Sequence, residues 1–195
     1  MSTQRTPGQR AGLDAQQVLD AALAVLREGG LASLSMRAVA RRLGVAPNAL
    51  YSHVPGKDGL LDAVLDGVLG EVPLPSDESV AGDPLGAVRS IMLDSYDVLL
   101  AHPGLMPAYL DRQGARGVYA RRLGVVTMGA LGTAGLDETA AAEAMRVLIL
   151  NTVGFAAFAA RPDGAGPGLI TAPELRRNFE RSLDWLFAGF APVTG

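Results

Sequence analysis

The 195-residue chain has no cysteine, one lysine and two histidines. Without cysteine there are no disulfides and no thiolate metal sites, which suits a reducing compartment, and a cytoplasmic location is expected. His53 and His102 do not stand at metal-ligand spacing, so neither a metal site nor a catalytic centre is expected. No cofactor is expected either. The glycine-rich run at 164–168 (GAGPG) follows no strand pattern, and Pro167 suits a loop rather than a dinucleotide-binding turn. The first dozen residues are polar and lack the apolar centre of a signal peptide. No charge-free apolar run reaches the roughly 18 residues a membrane span needs. The stretch at 147–160 is shorter and is interrupted by Asn151, so no membrane span is expected.

What the chain has is aliphatic. Hydrophobic residues make up 49% and aromatic ones 5%, with alanine, leucine and glycine dominant, so a substantial core is expected. Alanine and leucine lose little side-chain entropy in a helix. No alternating strand pattern and no internal repeat occurs, and an all-α fold is predicted. The net charge of −3 is unevenly spread: residues 1–60 carry seven basic and four acidic side chains, residues 61–195 ten and sixteen. A basic head on an acidic body fits a nucleic-acid partner, although ordinary surface variation also produces such an imbalance.

Helix signals divide the chain. A helix is predicted over 15–28, with Asp14 as cap, Gln17 completing a capping box, and Gly29-Gly30 as the stop. Val18, Leu19, Ala22, Leu23, Val25 and Leu26 form its apolar face. A second helix, 36–43, follows the Ser35 cap, with Val39 and Leu43 inward and Arg37, Arg41 and Arg42 outward; Gly44 permits a left-handed reversal. A third runs from Pro47 to about His53 and is broken by Pro55-Gly56. A fourth presents Leu60, Leu61, Val64, Leu65, Val68 and Leu69 on one side. The expected organisation is a flexible arm (1–13), a helix-turn-helix domain with its connecting helix (14–70), a linker rich in proline, serine, glycine and acids (71–84), a helical body (85–190) and a flexible tail (191–195). Within the body, helices are predicted near 85–99, 105–112, 118–131, from the Asp137 cap to about 160, and 173–190.

Residues 35–57, SMRAVARRLGVAPNALYSHVPGK, carry the chemistry. Two helices about a tight turn can seat the second in a DNA major groove, where each base pair presents its own pattern of donors and acceptors. Val39, Ala40, Leu43, Val45 and Leu50 are assigned to the small core. Pro47, Asn48, Ala49, Tyr51, Ser52 and His53 are left on the outer edge. Asn48 can pair with an adenine edge, and Pro47 and Ala49 can touch a thymine methyl. Tyr51 and His53 can donate to phosphates, and Arg37 can reach a guanine or a phosphate. Arg41 and Arg42 read as a solvated face.

This segment resembles the N-terminal domain of TetR-family transcriptional regulators. The family pattern, Leu-Tyr-x-His-Phe/Val followed by two variable residues and Lys, is matched by Leu50, Tyr51, His53, Val54 and Lys57. The likeness spans about residues 14–66. It implies that Tyr51 and Lys57 bind phosphates, the lysine from the start of the fourth helix. It places His53 near the DNA backbone, Arg37 where some members read guanine, and Pro47, Asn48 and Ala49 on the base-reading edge. Ala46 departs from the usual capping Ser or Thr, and Ala49 and Ser52 are smaller than in some relatives.

The resemblance also implies a C-terminal domain that binds a small molecule and dimerises through the last two helices. The run MRVLILNTVGFAAFAA is apolar nearly all round, which calls for burial on several sides. Candidate ligand-pocket residues are Met92, Tyr96, Met106, Tyr109, Met128, Asn151, Phe155 and Phe158; with few charges among them, an apolar or aromatic effector is expected. The expected function is a ligand-released repressor that binds a palindromic operator as a homodimer. The alternative is a helical small-molecule-binding or protein-interaction module without specific DNA binding.

Overall fold

The computed structural model describes residues 13–161 and 170–190. The expected arm, except Leu13, the expected tail and the glycine-rich loop lie outside the described residues. Those described are helical, with no strand, and the fold is all-α. By its internal contacts the chain separates into two compact units, divided between Val64 and Leu65.

The first unit opens with α1 (Ala15–Ser33), started by the capping box. Asp14 Oδ1 accepts from the Gln17 amide at 2.7 Å, and the Asp14 amide donates to Gln17 Oε1 at 3.1 Å. Gly30, at φ 67° and ψ −175°, interrupts α1 where the sequence predicts an end, and one further turn follows. Helix α2 (Met36–Leu43) has the predicted bounds, with the Ser35 hydroxyl accepting from Ala38 at 3.2 Å. At its C-terminus Gly44 is left-handed (φ 68°), and the Gly44 and Val45 amides donate to the Arg41 and Ala40 carbonyls at 3.3 and 3.0 Å. This is a Schellman closure, and it needs a residue without Cβ strain.

The third helix differs from expectation. It is a 3₁₀ turn over Pro47–Leu50 followed by irregular turns, with the Ala49 amide bonded to Ala46 O at 2.9 Å and the His53 amide to Leu50 O at 2.9 Å. Ala46 offers no side-chain cap and Pro55 disfavours helix just beyond, so the segment keeps mainly 3₁₀ bonds, with one α-type bond from the Val54 amide to Leu50 O at 2.9 Å. Fully buried Leu50 and buried Val54 hold the turn in place. Gly56, at φ 80°, then opens α3 (Gly56–Leu69), which crosses the division between the units.

The second unit contains the end of α3, α4 (Asp77–Gly82), α5 (Pro84–Ala101), α6 (Met106–Asp111), α7 (Val118–Thr133), α8 (Glu138–Ala159) and α9 (Ala172–Gly189). The stretch read as a linker therefore holds a short helix, capped by Ser76. Helix α5 is central, packing on α4, α7, α8 and α9. Tyr96 stacks on Phe179 with centroids 4.7 Å apart, both rings buried. Asp137 caps α8, and Thr171 with Glu174 forms a second capping box on α9. The Thr171 backbone and hydroxyl bonds hold the Glu174 carboxyl below its ordinary pKa.

Helix α8 is long and apolar enough, by length and composition, to cross a membrane, contrary to the count of uninterrupted apolar residues. Spread over 18 residues, its few charges do not break the hydropathy. Here it packs against α5, α7 and α9.

Candidate nucleic-acid interface and ligand cavity

In the first unit the 3₁₀ turn brings Pro47, Asn48 and Ala49 together at the surface, with Tyr51 and Ser52 next in chain. Tyr51 is 58% exposed, unusual for a large ring. His53 is half-buried, and the Ser52 hydroxyl donates to Ala49 O at 3.0 Å. Arg37 is exposed on α2 and Lys57 on the first turn of α3. Arg42 is engaged elsewhere, pairing with Glu28 at 2.7 Å. A Cβ at Gly56 would come within 4.0 Å of the Tyr51 ring, so the glycine reverses the chain close beside that side chain. The result is an exposed, mostly small-residue edge between two helices that carry cations.

The second unit encloses a cavity of about 230 Å³ between α5, α7, α8 and the α6–α7 loop. Of the eight pocket residues named from sequence, Met92 and Tyr109 line it. Burial pushes the Tyr109 phenol above its ordinary pKa, against a backbone hydrogen bond from Ala115 and with a further push from the Asp66 carboxylate. The remaining six lie elsewhere. Tyr96 and Phe155 pack on Phe179. Asn151 Nδ2 donates to the Ser182 hydroxyl at 2.8 Å, so its amide is satisfied by α9. Met106 and Phe158 border a separate open groove that includes Leu110 and Arg161. Met128 is half-buried outside the cavity lining. Large side chains fill space, whereas a cavity forms where Ala120, Gly124 and Thr127 leave it unfilled. That small-residue spacing on α7 is the signal the search for methionines and aromatics passed over.

Asp66 is the other residue not singled out from sequence. It sits near the end of α3 at 7% exposure. Its carboxylate accepts from the Tyr119 and Ala120 amides at 3.1 and 2.9 Å, the second and third residues of α7. Gly117, the residue before α7, supplies no side-chain cap. A Cβ there would stand 2.1 Å from Asp66 Oδ2, so glycine is what lets the carboxylate approach. A helix start without its own Ser, Thr, Asp or Asn was the available clue. The anion meets two amides of the first turn and the positive end of the α7 dipole.

Residues 18–64 match the family model described as bacterial regulatory proteins, tetR family. An HTH-type transcriptional regulator of Saccharopolyspora erythraea is 28% identical over 208 residues, covering 94% of this chain and 86% of that protein. The Streptomyces coelicolor TetR family protein ActR in complex with actinorhodin superimposes with a TM-score of 0.78 at 26% identity, over 95% of this chain and 100% of that one. BioQ with its natural double-stranded DNA operator matches with a TM-score of 0.66 at 27% identity, over 92% of this chain and 98% of that one.

Asp66→Ala should lower unfolding stability by about 1–3 kcal/mol in urea titration, the cost of removing the carboxylate from two part-buried amides. It should also speed hydrogen exchange at Tyr119 and Ala120 ahead of the rest of α7. Unchanged exchange at those amides would mean that the cap is made by something else.

Proposed function

The chain belongs to the TetR family of bacterial transcriptional regulators, and from that premise we propose a repressor that grips a near-palindromic operator as a homodimer and lets go when a small apolar or aromatic molecule enters the cavity. It is not an enzyme, and the protein-interaction alternative has no observation in its favour. The observation that carries the reading is the exposed edge of Pro47, Asn48, Ala49 and Tyr51, with Lys57 opening the next helix. Asn48 reads an adenine edge, and Pro47 and Ala49 meet thymine methyls. Tyr51, His53 and Lys57 hold phosphates, and Arg37 takes a guanine or a phosphate. Ser52 has given its proton to Ala49 O and is left as an acceptor. The cytoplasm, where the chromosome lies, is its place of action.

Operator DNA in the BioQ structure and actinorhodin in the ActR structure support both partners for this chain. The cavity at the heart of the second unit is the effector site, with Met92 and Tyr109 among its walls. Helix α3 transmits occupancy, since it belongs to both units and its far end is bonded through Asp66 to a cavity wall. Helix α8 supplies the dimer surface with α9. Val147, Leu150 and Phe158 are 45%, 72% and 58% exposed at helical spacing, and Trp185 on α9 is 69% exposed. Gly154 lies in the same stripe with open space above it, which permits close approach of a second helix.

Purified protein should retard DNA from its own promoter region at low salt, and no retardation there would overturn the repressor reading. Lys57→Ala should weaken binding to all sequences alike and reduce the slope of log affinity against log salt by about one; an unchanged slope removes the phosphate contact. Asn48→Ala should change the motif recovered by selected-site sequencing, and an identical motif removes direct readout. Leu150→Glu should convert a dimer to a helical monomer in sedimentation velocity with its circular dichroism retained, whereas a surviving dimer places the interface elsewhere.

A further inference from the structure

Two exposed polar side chains border the cavity. Gln113 and Arg116, in the loop between α6 and α7, are both solvent-exposed and both line it. Arg116 is the one charged side chain among the lining residues, and no carboxylate is among them. Asp66, the buried acid among the described residues, has both oxygens accepting from the α7 amides. A cationic ligand would therefore meet a like charge and no counter-ion, whereas an anion meets a guanidinium.

Gln113 adds an independent observation. Helix α6 closes with the Gln113 amide on Leu110 O at 3.1 Å and the Gly114 amide on Tyr109 O at 2.8 Å, which is the Schellman pattern. The left-handed position of that motif favours glycine, yet Gln113 occupies it at φ 55°, the one such non-glycine among the described residues. A side chain held in a strained conformation at a cavity mouth is the kind of outlier that marks a ligand clamp. Behind the mouth the wall is apolar, with Ile91, Met92 and Val153.

We propose that the effector is an apolar ring compound bearing an acidic group: its body lies on the apolar wall, and its anion sits at the mouth against Arg116, with the Gln113 amide as second partner. This rests on the cavity being the effector site. The test uses two dyes that share one ring system, anilinonaphthalenesulfonate, which is anionic, and N-phenylnaphthylamine, which is neutral. In fluorescence titration at low salt the wild type should bind the anionic dye roughly fivefold more tightly, and added salt should erase the difference. Arg116→Gln should abolish the preference while leaving the neutral dye unaffected. Gln113→Gly should weaken the anionic dye without lowering the melting temperature, because glycine relieves the strained φ. Gly124→Met, checked for folding by its melting curve, should exclude both dyes by filling the cavity. Equal binding of the two dyes to wild type, or a preference that survives Arg116→Gln, overturns the anion and leaves the cavity standing. Binding of neither dye to wild type, or undiminished binding of both to folded Gly124→Met, overturns the cavity reading itself.

Discussion

A carboxylate 7% exposed ties the C-terminal end of α3 to the start of α7, the helix that walls the cavity. Removing an ion from water costs several kcal/mol, more than a surface bond returns. Asp66 is tolerated because its two oxygens accept from two part-buried amides at the start of α7, and because the helix dipole adds to the attraction. Each half of the pair is costly without the other. The bond therefore fixes the register of α3 on α7 more strictly than apolar packing could, since hydrophobic contacts are non-directional. Gly117 belongs to the same constraint: any side chain there would displace the carboxylate. Next to Gly117 stands Arg116 at the cavity mouth, and one turn into α7 stands Ala120 in the cavity wall. The segment that Asp66 holds against α3 therefore also borders the cavity.

Helix α8 shows a different balance. Its inner face is spent on α5, α7 and α9, with Leu148 and Ala156 fully buried. Its outer face remains apolar. In water such a stripe is a liability unless covered, which is the physical argument for a second copy. The same composition gives α8 the hydropathy of a membrane span. Within this fold two of its polar side chains are hydrogen-bonded, Asn151 to Ser182 of α9 and the Thr152 hydroxyl to Leu148 O one turn back at 2.8 Å. Those bonds belong to a helix packed against protein.

What the sequence made legible was local. The Asp14 capping box, the bounds of α2, the left-handed Gly44 and the Asp137 cap each depend on residues within one or two turns, and each stands as expected. The failures share a cause. Asp66 caps a helix more than 50 residues away, and nothing near it in sequence announces that. The cavity is defined by volume that Ala120, Gly124 and Thr127 do not fill, so conspicuous side chains pointed to two of its residues and to six that lie outside its lining. The proline- and serine-rich stretch read as a linker hides α4 because a helix of six residues leaves hardly any periodicity to see, although Ser76 was a visible cap.

The 3₁₀ form of the recognition segment bears on how an operator can be told from other DNA. With no side-chain cap at Ala46 and few internal bonds, the segment has little stiffness of its own. Its position comes from Leu50 and Val54 beneath it and from the turns at Gly44 and Gly56 on either side. What it offers to the bases is correspondingly sparse: one amide at Asn48 and two apolar surfaces at Pro47 and Ala49. A good bidentate base contact discriminates by about 1–3 kcal/mol, and in the proposed complex phosphate contacts from Lys57 and Tyr51 would add affinity without sequence information. One head alone would therefore select its half-site weakly. In the proposed dimer selectivity comes from demanding two half-sites at a fixed separation, so the contacts between copies would act on specificity as much as the residues that touch the bases.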